Sequence, residues 1–191
     1  MITHLNGKLI EKSPTLLVIE CGGIGYEVKI SLNTFSTIGN EEAIKIFTQF
    51  IVREDAQILY GFMDKEEREM FNFLISVSGI GPNTAIVMLS GLSPSEIAHA
   101  ITSGNVDTIK GVKGIGNKTA QRVIVDLKDK MLKFEVSGDN ISSSNNTLRF
   151  DALTALVSLG FDKKSAEKAI NKVMNEQDSV ELLIRDALKV L

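Results

Sequence analysis

Two short stretches of this 191-residue chain place polar backbone where an anion could be held: Gly79-Ile80-Gly81-Pro82-Asn83-Thr84-Ala85 and Gly114-Ile115-Gly116-Asn117-Lys118-Thr119-Ala120. At an offset of 35 residues the flanking segments LISVSGIGPNTAIVML and IKGVKGIGNKTAQRVI share Val77/Val112, Gly79/Gly114, Ile80/Ile115, Gly81/Gly116, Thr84/Thr119 and Ala85/Ala120. This is an internal repeat. Glycines permit a turn whose successive amides point outward, and the helix that follows adds the positive end of its dipole. Amides and dipole together fit a phosphate. The candidate set is Gly79, Ile80, Gly81, Asn83 and Thr84 in the first copy. In the second it is Lys113, Gly114, Ile115, Gly116, Asn117, Lys118, Thr119 and Arg122. The isoleucine side chains are expected to turn inward, and the alanines to let the flanking helices pack closely. Backbone amides read phosphates and not bases, so the ligand implied is DNA without sequence preference.

A nucleotide-binding loop is the rival reading of the second copy, because GVKGIGNKT from Gly111 to Thr119 approaches the Walker A pattern. It has one residue too many, with Asn117 between Gly116 and Lys118. No strand is predicted before it, and a lysine out of register cannot reach the terminal phosphates. A second chemical feature lies at VREDAQILYGF, residues 52–62, where Glu54 and Asp55 follow Arg53 at a predicted strand–strand turn. Read alone, the two carboxylates are a solvated hairpin tip or, in a nuclease or glycosylase with a hairpin grip on DNA, metal ligands. No further Asp/Glu/His constellation accompanies them, and His4 and His99 stand isolated, in structural rather than ligating positions. The single cysteine, Cys21, leaves no disulfide framework and no Cys/His zinc cluster, and it reads as a small buried hydrophobe in a strand. Neither a cofactor nor a metal is called for.

The elements that must position these groups follow from pattern and composition. Hydrophobic residues make up 43% of the chain, enough for real cores. No run of about 18 apolar residues could span a bilayer, and MITHLNGKLIEK lacks a secretion pattern, so a cytoplasmic location is expected. The net charge of −3 argues mildly against nucleic-acid binding, but residues 110–133 carry seven Lys/Arg against two Asp and contain the second Gly-Ile-Gly copy. Residues 1–63 read as five strands (LIEK, TLLVIEC, GYEVKISL, AIKIFTQFIV, AQILYGF) in a small closed barrel. From Asp64 the period becomes helical, with Met70, Phe71, Leu74, Ile75 and Val77 in step, so residues 64–136 form a helical domain. Within it, Ser93, Pro94 and Glu96 spell a capping box. Ten of the eleven residues 137–147 are Ser, Gly, Asp, Asn or Thr, which predicts a flexible linker. Residues 148–191 return to helical spacing in three pieces, the last expected to start with Asp178 as N-cap and Glu181 three positions on.

The pattern apolar-x-G-I-G-x-x-x-A resembles the helix-hairpin-helix motif of DNA-binding proteins that ignore sequence. With GGIGYEV, VREDAQILYGF and KGIGNKTAQRVIVDLK in order along the full length, the chain resembles the RuvA family, which binds Holliday junctions in bacterial recombination and repair. The resemblance implies a multidomain α+β fold. Its parts are an N-terminal oligonucleotide-binding (OB) barrel, a middle all-α domain of tandem helix-hairpin-helix motifs, and a C-terminal three-helix, UBA-like bundle on a flexible linker. It also implies a homotetramer on an open, square-planar four-way junction, with one or two tetramers engaged. Glu54 and Asp55 become an acidic pin near the fourfold axis, repelling phosphates at the crossover. The C-terminal domain implies a partner, the hexameric AAA+ ATPase RuvB, bound through an apolar patch for which LVSLGF supplies Leu156, Leu159 and Phe161 as candidates, to be divided between the core and the partner surface. The junction resolvase RuvC is implied as a further partner. A tether between a fixed tetramer and a motor ring is a reason for a flexible linker. The chain departs from the family at Asn83 and Asn117, where many relatives carry lysine, which predicts a flatter salt dependence of binding.

The expected function is that of a non-catalytic subunit that binds junctions and directs an ATP-driven branch-migration motor. An enzyme acting alone predicts magnesium-dependent cleavage of the junction. A plain architectural protein predicts similar affinity for linear and four-way DNA.

Overall fold

The computed structural model describes residues 1–39, 41–138, 144–173 and 179–191. They fall into two compact units, 1–137 and 138–191.

The first unit begins with β1 (His4–Ser13), β2 (Leu16–Cys21), β3 (Ile24–Ile30), β4 (Ala43–Val52) and β5 (Gln57–Phe62), closed in the order β1-β2-β3-β5-β4. The β3–β5 pair is parallel and the other pairs are antiparallel. Alternate side chains turn inward, so Leu5, Leu17, Ile19, Val28, Ile30, Ile44, Ile46 and Leu59 form the barrel core. Closure leaves no exposed strand edge. Cys21 lies in β2 as expected but is half-buried and not buried, its thiol donating to the Asn6 carbonyl at 3.4 Å. Helix α1 (Leu32–Thr37) was not legible in SLNTFST, whose residues are poor helix formers. Its start is fixed by Ser31, whose side chain accepts from the Thr34 amide at 2.9 Å.

The helical part comprises α2 (Lys65–Ile75), α3 (Pro82–Gly91), α4 (Pro94–Thr102), α5 (Val106–Lys110) and α6 (Asn117–Gly138). The change of period near residue 63 is a change of secondary structure without a break in packing. Tyr60 and Phe62 of β5 belong to the same core as Met70, Phe71 and Leu74 of α2. Both rings lie 5.1 Å from that of Phe71. A buried polar clamp ties α2 to α1. Glu67 of α2 accepts hydrogen bonds from the Ser31 hydroxyl and, at 2.6 Å, from the Thr34 hydroxyl of α1. Burial pushes the Glu67 carboxyl above the usual range; the two hydroxyl donors oppose the shift and nearby Asp64 adds to it. The box at Ser93 and Glu96 is formed in full, and the Ser93 amide and hydroxyl hold the Glu96 carboxyl below its ordinary value.

The second unit packs α7 (Ser144–Ser158), α8 (Lys163–Val173) and α9 (Val180–Leu188) around Ala152, Leu156, Ala166, Ala169, Ile170, Leu183 and Ala187. Four of these seven are alanines, so the helices approach closely. Two expectations change here. The linker expected over 137–147 narrows, because α6 continues through Gly138 and α7 begins at Ser144. A helix once nucleated gains one hydrogen bond per added residue, and Ser and Asn suit a first turn. Residues 139–143 lie outside the described residues. The last helix is capped by Ser179, whose extended backbone lets its hydroxyl accept from the Leu182 amide at 3.3 Å; Asp178, the expected cap, lies outside the described residues. Among the described residues no helix is long and apolar enough to cross a membrane.

Candidate nucleic-acid interface

The two Gly-Ile-Gly segments fold into the same turn and share four backbone hydrogen bonds. In the first, Ser76 N donates to Asn72 O (3.2 Å), Val77 N to Leu74 O (3.1 Å), Ile80 N to Val77 O (3.0 Å) and Ala85 N to Gly81 O (3.0 Å). In the second, Gly111 N donates to Asp107 O (2.9 Å), Val112 N to Ile109 O (3.3 Å), Ile115 N to Val112 O (3.1 Å) and Ala120 N to Gly116 O (2.9 Å). Each pair of bonds is related by the sequence offset. Gly79 and Gly114 take φ of +97° and +93°, a region closed to most side chains, so the first glycine of each copy is what permits the turn.

Ile80 and Ile115 are each 5% exposed, with side chains in the shared core and amides bonded inside the turn. Their expected inclusion among the DNA-contacting residues is therefore corrected: both shape the turn and neither offers a free donor. The free donors are those that follow. Gly81 is the N-cap of α3 and supplies no side-chain bond, and Pro82 at the first helical position has no amide, so the first-turn amides of Asn83 and Thr84 have no side-chain cap. Gly116 holds the matching position before α6 and, having no side chain, cannot cap it either.

The two turns also meet each other. A Cβ placed on Gly79 would lie 3.7 Å from Cγ2 and 3.8 Å from Oγ1 of Thr119. The Arg122 guanidinium donates to the carbonyl of Ser78 at 3.4 Å. The sequence presents Arg122 as a cation of the second copy; the fold places it against the backbone of the first. Lys113, Gly114, Gly116, Asn117 and Lys118 are exposed, and Thr84 and Thr119 are half-buried.

Asn83 has a role that its spacing did not reveal. Its Oδ1 accepts from the Tyr60 hydroxyl at 3.0 Å. Tyr60 is 1% exposed, so its hydroxyl needs a protein partner. Burial raises the phenol above its ordinary value, opposed by the positive charge of Arg53. An asparagine beside the hairpin thus ties strand β5 to the start of α3.

The acidic pair lies where the strand pattern put it. Arg53 N donates to Ala56 O at 2.8 Å, closing the β4–β5 hairpin, and Glu54 and Asp55 are its two tip residues. Both are exposed, and among the described residues neither has an ion-pair partner within 4.0 Å. Among the described residues no group of three or more His, Cys, Asp or Glu is arranged to hold a metal. His4 and His99 are both exposed, so neither fills a core position.

In the second unit Leu156 is 0% exposed and belongs to the core, which corrects its candidacy for the partner surface. Leu159 and Phe161 are 63% and 38% exposed. They flank Gly160, whose φ of +97° ends α7, with Phe161 N donating to Leu156 O at 3.2 Å.

Comparison with known families agrees with this architecture. Residues 1–61 match the RuvA N-terminal domain, 71–129 the SAM-like helix-hairpin-helix tandem and 148–191 the RuvA C-terminal domain. A protein of Christiangramia forsetii is 52% identical over 193 residues, covering 100% of both chains. Proteins of Flavobacterium psychrophilum and Cytophaga hutchinsonii are 51% and 48% identical, again over 100% of both chains. Each of the three is named Holliday junction branch migration complex subunit RuvA. With a closed five-stranded barrel, two matching Gly-Ile-Gly hairpins and a terminal helical unit in the order of the matched domains, the chain belongs to the RuvA family.

Proposed function

We propose that the chain binds four-way junction DNA without sequence specificity, holds it open and square-planar as a homotetramer, and loads the RuvB ATPase for branch migration in recombination and repair. In this role it is the non-catalytic subunit of the complex, and RuvC is a further partner at the same junction. The observation that carries the reading is the pairing of two matching hairpins, each an uncapped helix start, on the same compact unit as an exposed acidic tip. The free amides after Gly81 and Gly116 take phosphates of a duplex arm, with Lys113 and Lys118 as neighbouring cations. Arg122 contributes charge while bracing the first turn. Glu54 and Asp55 face the crossover, where four tips bring eight carboxylates against converging phosphates. Leu159 and Phe161 offer the apolar contact for the motor.

The test is the double change Glu54→Gln with Asp55→Asn, with affinity measured for junction and for linear duplex at two salt concentrations. Duplex affinity should rise most, because its phosphates are no longer repelled from the centre. The gain should shrink as the Debye length falls from about 10 Å at 0.1 M to about 3 Å at 1 M. No gain in duplex affinity at low salt would return the pair to an ordinary surface turn.

A further inference from the structure

The end of α3 and the start of α1 cap each other. A helix leaves its last carbonyls and its first amides without partners inside it. At the end of α3, the side-chain amide of Asn33 in α1 donates to the carbonyls of Leu89 at 2.6 Å and Leu92 at 3.2 Å. At the start of α1, the Leu32 amide donates to the Ser90 hydroxyl of α3 at 3.1 Å, and that hydroxyl donates in turn to the Ile86 carbonyl at 2.7 Å. Carbonyl oxygens only accept, so the Asn33 atom that faces two of them is the nitrogen, and both of its protons are used. Asn33 and Ser90 are both half-buried.

Helix α1 is itself an extension of the barrel. Strand β3 ends at Ile30, the next residue caps α1, and Glu67 of α2 holds the hydroxyls of Ser31 and Thr34. The other end of α3 is tied to the barrel as well, through Asn83 and the Tyr60 hydroxyl of β5. At 1.5 Å per residue, Leu89 and Leu92 lie about 9–14 Å beyond Asn83 along the helix. One anchor fixes a position; two anchors at that separation fix a direction. The direction of α3 decides where its uncapped first-turn amides point. The second turn follows the first, because Arg122 donates to the Ser78 carbonyl.

We propose that Asn33 is a positioning residue for junction recognition: from the far end of α3 it sets the angle between the hairpin amides and the acidic tip, and so governs the preference for four-way over linear DNA. The inference rests on the proposed function for the ligand and for the role of the tip. A linear duplex meets the hairpins of one chain and can turn to fit whatever angle they hold. Four arms joined at one crossover cannot turn independently, so only the junction reports an error of angle. A site held by its supporting groups loses recognition when they slacken, even with every contacting group still present.

The test uses the full chain with Asn33→Asp, which keeps the shape of the side chain but turns an oxygen onto two carbonyls and sets a negative charge at the negative end of the α3 dipole. The probes are a synthetic four-way junction and a linear duplex as long as two joined arms, each titrated over a range of salt, with energy transfer between dyes on the arm ends of the bound junction. Thermal unfolding checks that the variant folds. Junction affinity should fall about fivefold or more and duplex affinity change less than about twofold. The slope of log affinity against log salt should stay at the wild-type value, because no phosphate contact is lost. Energy transfer should move away from the wild-type value. Asn33→Ala removes the donors without adding charge, so it should shift the same readings the same way by less, and it carries the test if the Asp form does not fold. Folded variants with wild-type preference and wild-type energy transfer overturn the proposal, whatever their unfolding temperature, and leave the cap as a brace. Equal losses on both DNAs with a lower salt slope also overturn it, since Asn33 would then act at a phosphate. A wild-type chain without preference for the junction sinks the proposed function too, whereas a preference untouched by either substitution sinks only the role of Asn33.

Discussion

The polar clamp between α1 and α2 yields the sharpest test of how the barrel is fixed to the hairpins. Glu67 is 3% exposed and accepts from two buried hydroxyls, those of Ser31 and Thr34. Glu67→Ala removes both acceptors and leaves two hydroxyl donors inside the fold. Each unsatisfied buried group costs about 1–3 kcal/mol, offset in part because a carboxylate no longer has to be desolvated. A net loss of about 2–4 kcal/mol is expected. Glu67→Gln keeps one of the two acceptors and sets an NH2 donor in place of the other, with no charge to desolvate, so its loss at neutral pH should be smaller than that of Glu67→Ala, about 1–2 kcal/mol. The pH dependence separates charge from packing. The folded-state pKa of Glu67 is raised above the ordinary 4.5, so the folded state holds this proton more tightly than the unfolded chain does. The contribution is therefore fully present below about 4.5 and is lost as pH rises through the raised folded value. Urea unfolding of wild type, Glu67→Gln and Glu67→Ala at about pH 4.5, 6 and 7.5 reads this directly. Wild type should lose stability relative to Glu67→Gln as pH rises across that window. A constant difference between those two proteins, or a Gln variant as unstable as the Ala variant, would refute the clamp.

Two further outcomes follow from the hairpins. Lys118→Ala and Arg122→Ala should weaken binding to junctions of different sequence by a similar factor, and each phosphate no longer neutralised should lower the slope of log affinity against log salt by up to about 1. Because Arg122 also braces the Ser78 carbonyl, only its removal should in addition lower the unfolding midpoint. Asn83→Ala leaves the Tyr60 hydroxyl buried without its partner and should cost about 1–3 kcal/mol in urea unfolding, whereas Tyr60→Phe with Asn83→Ala should recover most of that loss.

What could be read from the sequence was what repeats or alternates. The hairpin pair was legible because it is a repeat of residue types, and residues of the same type in the same local context make the same turn. The barrel was legible because inward-facing residues such as Leu17 and Ile19 recur at every second position. The box at Ser93 is a local four-residue device and needs nothing distant. Helix α1 was not legible, since its start depends on a serine cap that outweighs poor propensity, and its buried Thr34 reports to Glu67, 33 residues away. Glu67 itself sits in KEERE, where nothing distinguishes the one carboxylate that is buried from its neighbours.

The same limit explains the residues whose expected roles changed. Asn83, Arg122 and Leu156 were placed by motif position, which specifies the backbone turn but not which neighbour fills the space beside it. Ile80 turns into the core as its spacing implied, and what changes is that its amide is bonded within the turn and not offered to a ligand. Asn83 falls to Tyr60, a pairing across 23 residues that is decided by how β5 lies against α3. This pairing has a mechanical consequence. Strand β5 runs directly from the acidic tip at Glu54 and Asp55 to Tyr60, and Tyr60 is bonded to the first turn of the helix that has no side-chain cap. A lysine at position 83 would add a cation but could not accept the phenol proton, so the asparagine exchanges a mobile charge for a fixed connection. The exposed acidic tip and the uncapped helix start are thereby joined through one strand and one hydrogen bond.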